Sequence, residues 1–290
     1  MTSLAHALHV GSLLPPEKLA RARAEHAAGR LKADELRWVQ EESVLLALSL
    51  QYECGLREHT DGEYLRTGGE RSSLREAGFL RDYAPGAFKI CLPDVSERVL
   101  ARWQAGARHN RVVPESTALV QAEADALADA GVTRIQLDAP RLTDFADSRT
   151  LLRRCVYADL LIAERLRKRG IGVAMHLCGG RYDDIAADVF ATMPVDHWLV
   201  DYDPARSDGF APLKHVPDDV RVVLGLISAQ TPALESVDSL ARRVDEAADF
   251  VPMENLALSP HCGFARSPLT WDGQRRKLGR LVEAAEKIWR

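Results

Sequence analysis

The sequence predicts a fold of the α/β class, a closed (β/α)8 or TIM barrel, in a single domain spanning residues 1–290. Three observations predict it. Short apolar runs alternate with longer amphipathic segments, the pattern of repeated βα units on a parallel sheet. Eight such runs occur in 290 residues, close to the roughly 250 that one such barrel takes. Polar residues that carry chemistry stand at the ends of the runs, where barrels of this kind place their active sites. An open doubly wound sheet competes, but the first βα turn, "VGSLLPPE", lacks a G-x-G-x-x-G phosphate cradle.

In chain order the runs are "LHVGSLL" near residue 8, "CGLREHTDGE" ending at Glu63, "AFKICLP" ending at Pro93 and "RIQLDAP" ending at Pro140. They continue with "IGVAMHLC" ending at Cys178, "HWLVDYD" ending at Asp203, "VRVVLGLI" ending at Ile227 and "NLALSPHC" ending at Cys262. Each has strand length and turn-forming neighbours, the second being the weakest. Between them, Leu152, Val156, Leu160, Ala163 and Leu166 form one helical apolar stripe, and Val237, Leu240, Ala241, Val244 and Ala248 another. Gly131 and Gly170 sit where helix C-termini take a left-handed residue. Leu278, Leu281, Val282, Ala285 and Ile288 mark a final helix packed on the barrel wall. The segment from Arg66 to Gly86, with "TGGERSS", reads as a polar loop with one helical turn.

Hydrophobic residues at 46% and charged residues at 28% fit a well-packed domain. A net charge of -4 gives no reason to expect nucleic acid or an anionic membrane. The basic stretch from Arg165 to Arg169 reads as a solvated helix end. No apolar stretch approaches the roughly 20 residues that span a bilayer, and "MTSLAHALHVGS" has no basic n-region, so a cytoplasmic location is expected. Five scattered cysteines do not make a disulfide framework. Cys54 and Cys155 fall in helical patterns and read as core residues, and Cys91 reads as a strand residue.

The stretch "MHLCGG" puts His176 and Cys178 two residues apart. On a strand, such side chains share a face, so an imidazole nitrogen and a thiolate can bind one metal ion. Cys262 ends the eighth run, and Asp201 is the expected oxygen ligand, with Asp203 and His261 as neighbouring substitutes. One, 22 and 60 residues separate successive ligands, so this is no compact finger but a zinc site assembled from three strands of a preformed fold. The plain alternatives are a buried thiol acting as a small hydrophobe and an aspartate capping a helix.

Taken together, these motifs resemble the C-terminal catalytic barrel of cobalamin-independent methionine synthase and its short single-barrel relatives. The resemblance runs through "HVGSLLPP", "TDGEYLR", "IQLDAP", "MHLCGG" and "LSPHCGFA" in family order, over nearly the whole chain. It implies that His176, Cys178 and Cys262 bind zinc, with Asp201 where the family has a glutamate ligand. It also implies that Glu63 and Asp138 hold the ammonium of homocysteine and that Ser12 contacts the carboxylate of the amino acid.

The expected activity is zinc-dependent S-methylation of homocysteine or a similar amino thiol. Its partners would be a methyl or alkyl donor, a methylated corrinoid protein being one source. Two departures bear on the donor and the pocket. Ala139 replaces the glutamate of the family's "DEP", which implies a missing pocket carboxylate, and Gln230 lies near the position of a histidine proton donor. They keep open an alkyl-thiol transferase of the epoxyalkane:coenzyme M type, with Arg141 facing a sulfonate, and a catalytically inactive zinc-binding barrel. A metal-free decarboxylase of the uroporphyrinogen family ranks last, because "MHLCGG" and "SPHCG" argue against it.

Overall fold

A computed structural model describes residues 6–66, 72–104, 109–180, 182–205, 207 and 209–290. Strands β3 (Ile90–Pro93), β4 (Arg134–Ala139), β5 (Gly172–Leu177), β6 (His197–Asp201), β7 (Arg221–Ile227) and β8 (Leu256–Pro260) form one parallel ladder in chain order. Two shorter strands, β1 (Glu58–His59) and β2 (Ala87–Phe88), pair in parallel. Only Lys89 separates β2 from β3, and its N–H donates to His59 O at 3.1 Å, so the ladder continues from β1 into β3. The N-terminal run supplies the remaining wall: Ala7 bridges Leu258, and the Leu8 N–H donates to Leu258 O at 2.9 Å. Its far side meets the β1 loop, where the Leu13 N–H donates to Gly62 O at 3.1 Å. All eight predicted runs take strand positions of the α/β barrel.

Alternation along the strands makes two cores. Leu8, Ala174, Leu199, Val223 and Ala257 fill the barrel interior, while the larger cluster lies between the strands and the surrounding helices. Helix α6 (Arg149–Lys168) shows how the outer layer forms. Leu152, Ile162 and Leu166 are completely buried, each stabilising the fold by about 1.5–3 kcal/mol. Its basic end is solvated as expected, with Arg165 on Asp125 and Arg169 on Asp129. Helices α8 (Val237–Ala247) and α9 (Trp271–Ile288) carry the other two predicted stripes.

Three expectations change. The polar loop from Arg66 to Gly86 contains the twelve-residue helix α3 (Ser72–Tyr83), not one turn; residues 67–71 lie outside the described residues. Its buried face combines Ala77 and Leu80 with Ser73 and Glu76, so polar residues interrupt the apolar period that would have revealed it. Cys54 lies at the edge of the core: it caps the C-terminus of helix α2 (Ala33–Glu53), partly buried and packed against the core cluster. Ala139 joins the outer core, on the face of β4 opposite Asp138, so its lack of a carboxylate takes nothing from the interior. Among the described residues, no helix is long and apolar enough to cross a membrane.

Candidate active site

Three strand ends deliver the expected soft donors to one point. His176 lies on β5, Cys178 just beyond it and Cys262 just beyond β8, and their ligand atoms all lie within 4.8 Å of one another. Cys262 Sγ is 3.9 Å from Cys178 Sγ. His176 Nδ1 donates to Leu199 O at 3.1 Å; a carbonyl can only accept, so this bond fixes the tautomer and frees Nε2 for the site. Nε2 is buried and makes no hydrogen bond of ordinary geometry. The Cys178 hydrogen bond, followed by the His176 imidazole, holds the Cys262 thiol well below the usual thiol range. Burial opposes charge on His176, but Cys262 and Asp138 together raise its pKa.

Asp201 ends β6 and is buried. Its Oδ1 accepts the Asp203 N–H at 2.9 Å, and its own carbonyl accepts Tyr182 OH at 2.9 Å. The group of three donors does not include it. His261 Nδ1 and Asp203 Oδ2 are 3.8 Å apart.

A second cluster collects Glu63, Cys91 and Asp138, whose ligand atoms also lie within 4.8 Å of one another. The local sequence accounts for the position of Glu63. In "TDGE", Asp61 accepts the Glu63 N–H through Oδ1 at 2.7 Å and the Leu65 N–H through Oδ2 at 3.0 Å, closing a tight turn after β1. Glu63 there has φ 65°, a left-handed conformation that a non-glycine residue adopts only when its surroundings hold it. Arg66 clamps the result, with Nη1 3.0 Å from Glu63 Oε2 and Nη2 donating to Cys91 O at 2.5 Å. Burial pushes the Glu63 carboxyl up to about 7, against the pull of Arg66 and with the help of Asp138. Burial also raises Asp138.

Ser12 approaches from the first βα turn. The Phe264 N–H donates to Ser12 O at 2.9 Å, and a Cβ on Gly263 would stand 1.9 Å from Ser12 Oγ, so the residue after Cys262 must be glycine for the turns to touch. The six segments carrying predicted residues, the turns at Ser12 and Glu63 and the C-terminal ends of β4, β5, β6 and β8, therefore reach the same end of the barrel. Sequence reasoning did not single out Arg66 or Gln136, and it read Cys91 only as a strand residue. Strand alternation could have found Gln136, two residues before Asp138 on the same face. Arg66 carries no periodic signal. Arg141 pairs with Asp144, three residues on, and Gln230 is exposed in the turn after β7.

A family model described as the catalytic domain of cobalamin-independent synthase matches residues 101–287. Among curated proteins, the uncharacterized YxjG of Bacillus subtilis is 27% identical, the match covering 97% of this chain and 94% of that one. The methionine synthase of Methanothermobacter marburgensis is 25% identical over 62% of this chain and 55% of its own. A 5-methyltetrahydropteroyltriglutamate–homocysteine methyltransferase of Photorhabdus laumondii is 27% identical, but this chain matches 22% of its length. Among solved structures, a putative vitamin-B12-independent methionine synthase from Listeria monocytogenes superposes with TM-score 0.82 at 25% identity. It covers 100% of this chain and 99% of its own. A B12-independent methionine synthase from Shewanella sp. W3-18-1, in complex with selenomethionine, shares the fold with TM-score 0.82 at 19% identity over 98% of both chains. With more than half of the chain matched by the family model, the protein belongs to the cobalamin-independent methionine synthase catalytic-barrel family.

Proposed function

We propose that the chain, as one barrel spanning residues 1–290, is a zinc-dependent methyltransferase that converts homocysteine, or a close amino thiol, to its S-methyl product. The observation that carries this reading is the convergence of His176 Nε2, Cys178 Sγ and Cys262 Sγ from separate strand ends to within 4.8 Å. One imidazole and two thiols form a soft donor set suited to zinc, and the bond from Nδ1 to Leu199 O leaves the other ring nitrogen of His176 to face the thiols. His176, Cys178 and Cys262 would hold the ion, with Asp201 as the oxygen donor. Bound zinc would supply the means of deprotonating a substrate thiol, whose free pKa near 8.5 leaves it mostly protonated at neutral pH.

The chain supplies the rest. Glu63 and Asp138 together present the negative charge that receives an ammonium, and burial makes that interaction stronger than it would be in water. Ser12 offers its hydroxyl to the amino-acid carboxylate. The sulfur then meets the methyl carbon of the donor, forming an S–C bond as the bond from methyl to carrier breaks.

The names of the relatives favour a methylated pterin as donor and give no support to a corrinoid protein. Pairing of Arg141 with Asp144 leaves the sulfonate reading without its cation, and the Glu63 and Asp138 carboxylates favour an amino-thiol pocket over an inactive zinc-binding barrel. Five scattered cysteines that make no disulfide framework suit a reducing cytoplasm. The test is incubation of zinc-loaded protein with L-homocysteine and 5-methyltetrahydrofolate, as mono- and triglutamate, with methionine measured by mass spectrometry. Methionine that disappears after chelation and returns with zinc supports the proposal. Absence of methionine with both donors, in protein that binds zinc, contradicts it.

A further inference from the structure

Beneath the two carboxylates lies a chain of buried polar groups that the chemistry above does not use. Gln136 is fully buried and Lys89 is 1% exposed. Gln136 Nε2 donates to Asp138 Oδ1 at 2.6 Å and to Val10 O at 2.7 Å, while Oε1 accepts from Lys89 Nζ at 2.7 Å. Lys89 Nζ also donates to His9 O at 2.5 Å and lies 3.6 Å from Glu58 Oε2, and Arg134 donates to Glu58 Oε1 at 2.5 Å.

A primary amide has almost the same shape either way round, so its partners decide which end is oxygen. An ammonium offers three donors and no acceptor. The end of Gln136 that faces Lys89 must therefore be the carbonyl. Its amino end then meets two acceptors, the Asp138 carboxylate and Val10 O. With the amide turned over, oxygen would oppose oxygen at both of these contacts and N–H would oppose N–H at Lys89. Such unmatched buried contacts are expensive to form.

We propose that Lys89 is a positioning residue for the substrate ammonium: acting through the Gln136 amide, it fixes how the Asp138 carboxylate faces the barrel mouth. The inference rests on the amino-thiol reading. With Oδ1 tied to Gln136, Oδ2 remains for the ammonium. Lys89 thus bears on the selection of an amino thiol over a thiol without an amino group, although it touches neither.

The test is calorimetric binding of two thiols to zinc-loaded protein: L-homocysteine, and 4-sulfanylbutanoic acid, which lacks only the amino group. Lys89→Met should weaken homocysteine binding by about tenfold or more, the loss that follows when a charged acceptor loses its fixed donor. Binding of the deamino thiol and the zinc content should stay within about twofold of wild type. Lys89→Arg, still donor-only, should restore homocysteine binding. Lys89→Met combined with Gln136→Met should lose no more than Gln136→Met alone, because both act along one path.

Gln136→Glu keeps the shape and the Lys89 contact but removes the donor to Asp138; it should show the same selective loss and serves as the test if Lys89→Met does not fold. Equal losses for both thiols, additive losses in the double variant, or no loss in a folded variant would overturn the inference while leaving the amino-thiol reading intact. Wild-type protein that does not prefer homocysteine over its deamino analogue would overturn the amino-thiol reading, and this inference with it.

Discussion

Gly263→Ala probes the contact between the two turns that frame the site. The added Cβ would lie 1.9 Å from Ser12 Oγ, 3.1 Å from Ser12 Cβ and 3.3 Å from Ser12 O. A change of Ser12 rotamer moves Oγ away but leaves Cβ and O, so the backbone of one turn must shift as well. Overpacking of this kind costs about 1–3 kcal/mol, equivalent to a fall in Tm of roughly 2–5 °C in a domain of this size. Ser12→Gly alone costs less, about 0.5–1 kcal/mol, mainly through backbone entropy. Combined with Gly263→Ala, it removes the two closest contacts and leaves only the approach to the residue 12 carbonyl. The double variant should therefore be at least about 1 kcal/mol more stable than the sum of the two single losses predicts. Urea denaturation of the four proteins, with slopes compared, measures this. Additivity to within about 0.5 kcal/mol, the behaviour of independent sites, would refute the claim that these turns are in contact.

Two further outcomes follow from other parts of the structure. Asp94 and Asp159 lie together in the core, and burial raises both carboxyl pKa values, Asp94 adding its charge to the effect on Asp159. Because the folded values lie above the unfolded value near 4, their contribution is complete below about pH 4 and is lost as the pH rises through the folded values. Asp159→Asn retains an oxygen for the Val95 N–H and removes one of the charges. It should raise stability at pH 8 by an amount on the order of 1–3 kcal/mol and change it little at pH 4, as read from urea unfolding at the two pH values. Cys178→Ser should lose stoichiometric zinc by atomic absorption while keeping a cooperative thermal transition, because backbone ladders on both sides hold the strand that leads into Cys178. Unfolding of that variant would mark the centre as structural.

The barrel was legible in the sequence wherever the periodicity was clean. Runs such as "IGVAMHLC" and "VRVVLGLI" are apolar on both faces because helices cover one side and the barrel core the other. The metal donors were legible for a related reason: H-x-C on a strand forces a common face, and Cys262 ends the last strand. What could not be read depends on contacts between distant segments. Lys89 breaks a strand and looks like a surface residue, yet it lies buried on Gln136 and Glu58. Glu76 and Ser73 make the buried face of α3 look polar. The resting place of Ala139 follows from the parity of its position on β4, a rule the sequence contained, whereas the left-handed turn at Glu63 depends on Asp61 hydrogen bonds that only the folded chain shows.

The central claim is that Cys178, Cys262 and His176 form one zinc centre that takes up a substrate sulfur. X-ray absorption at the zinc edge, with and without L-homocysteine, tests it most directly. One zinc per chain with two sulfur neighbours at rest, rising to three when homocysteine is added, is the expected result. An unchanged sulfur count on addition of the thiol, or a zinc bound without cysteine sulfur, would contradict the account.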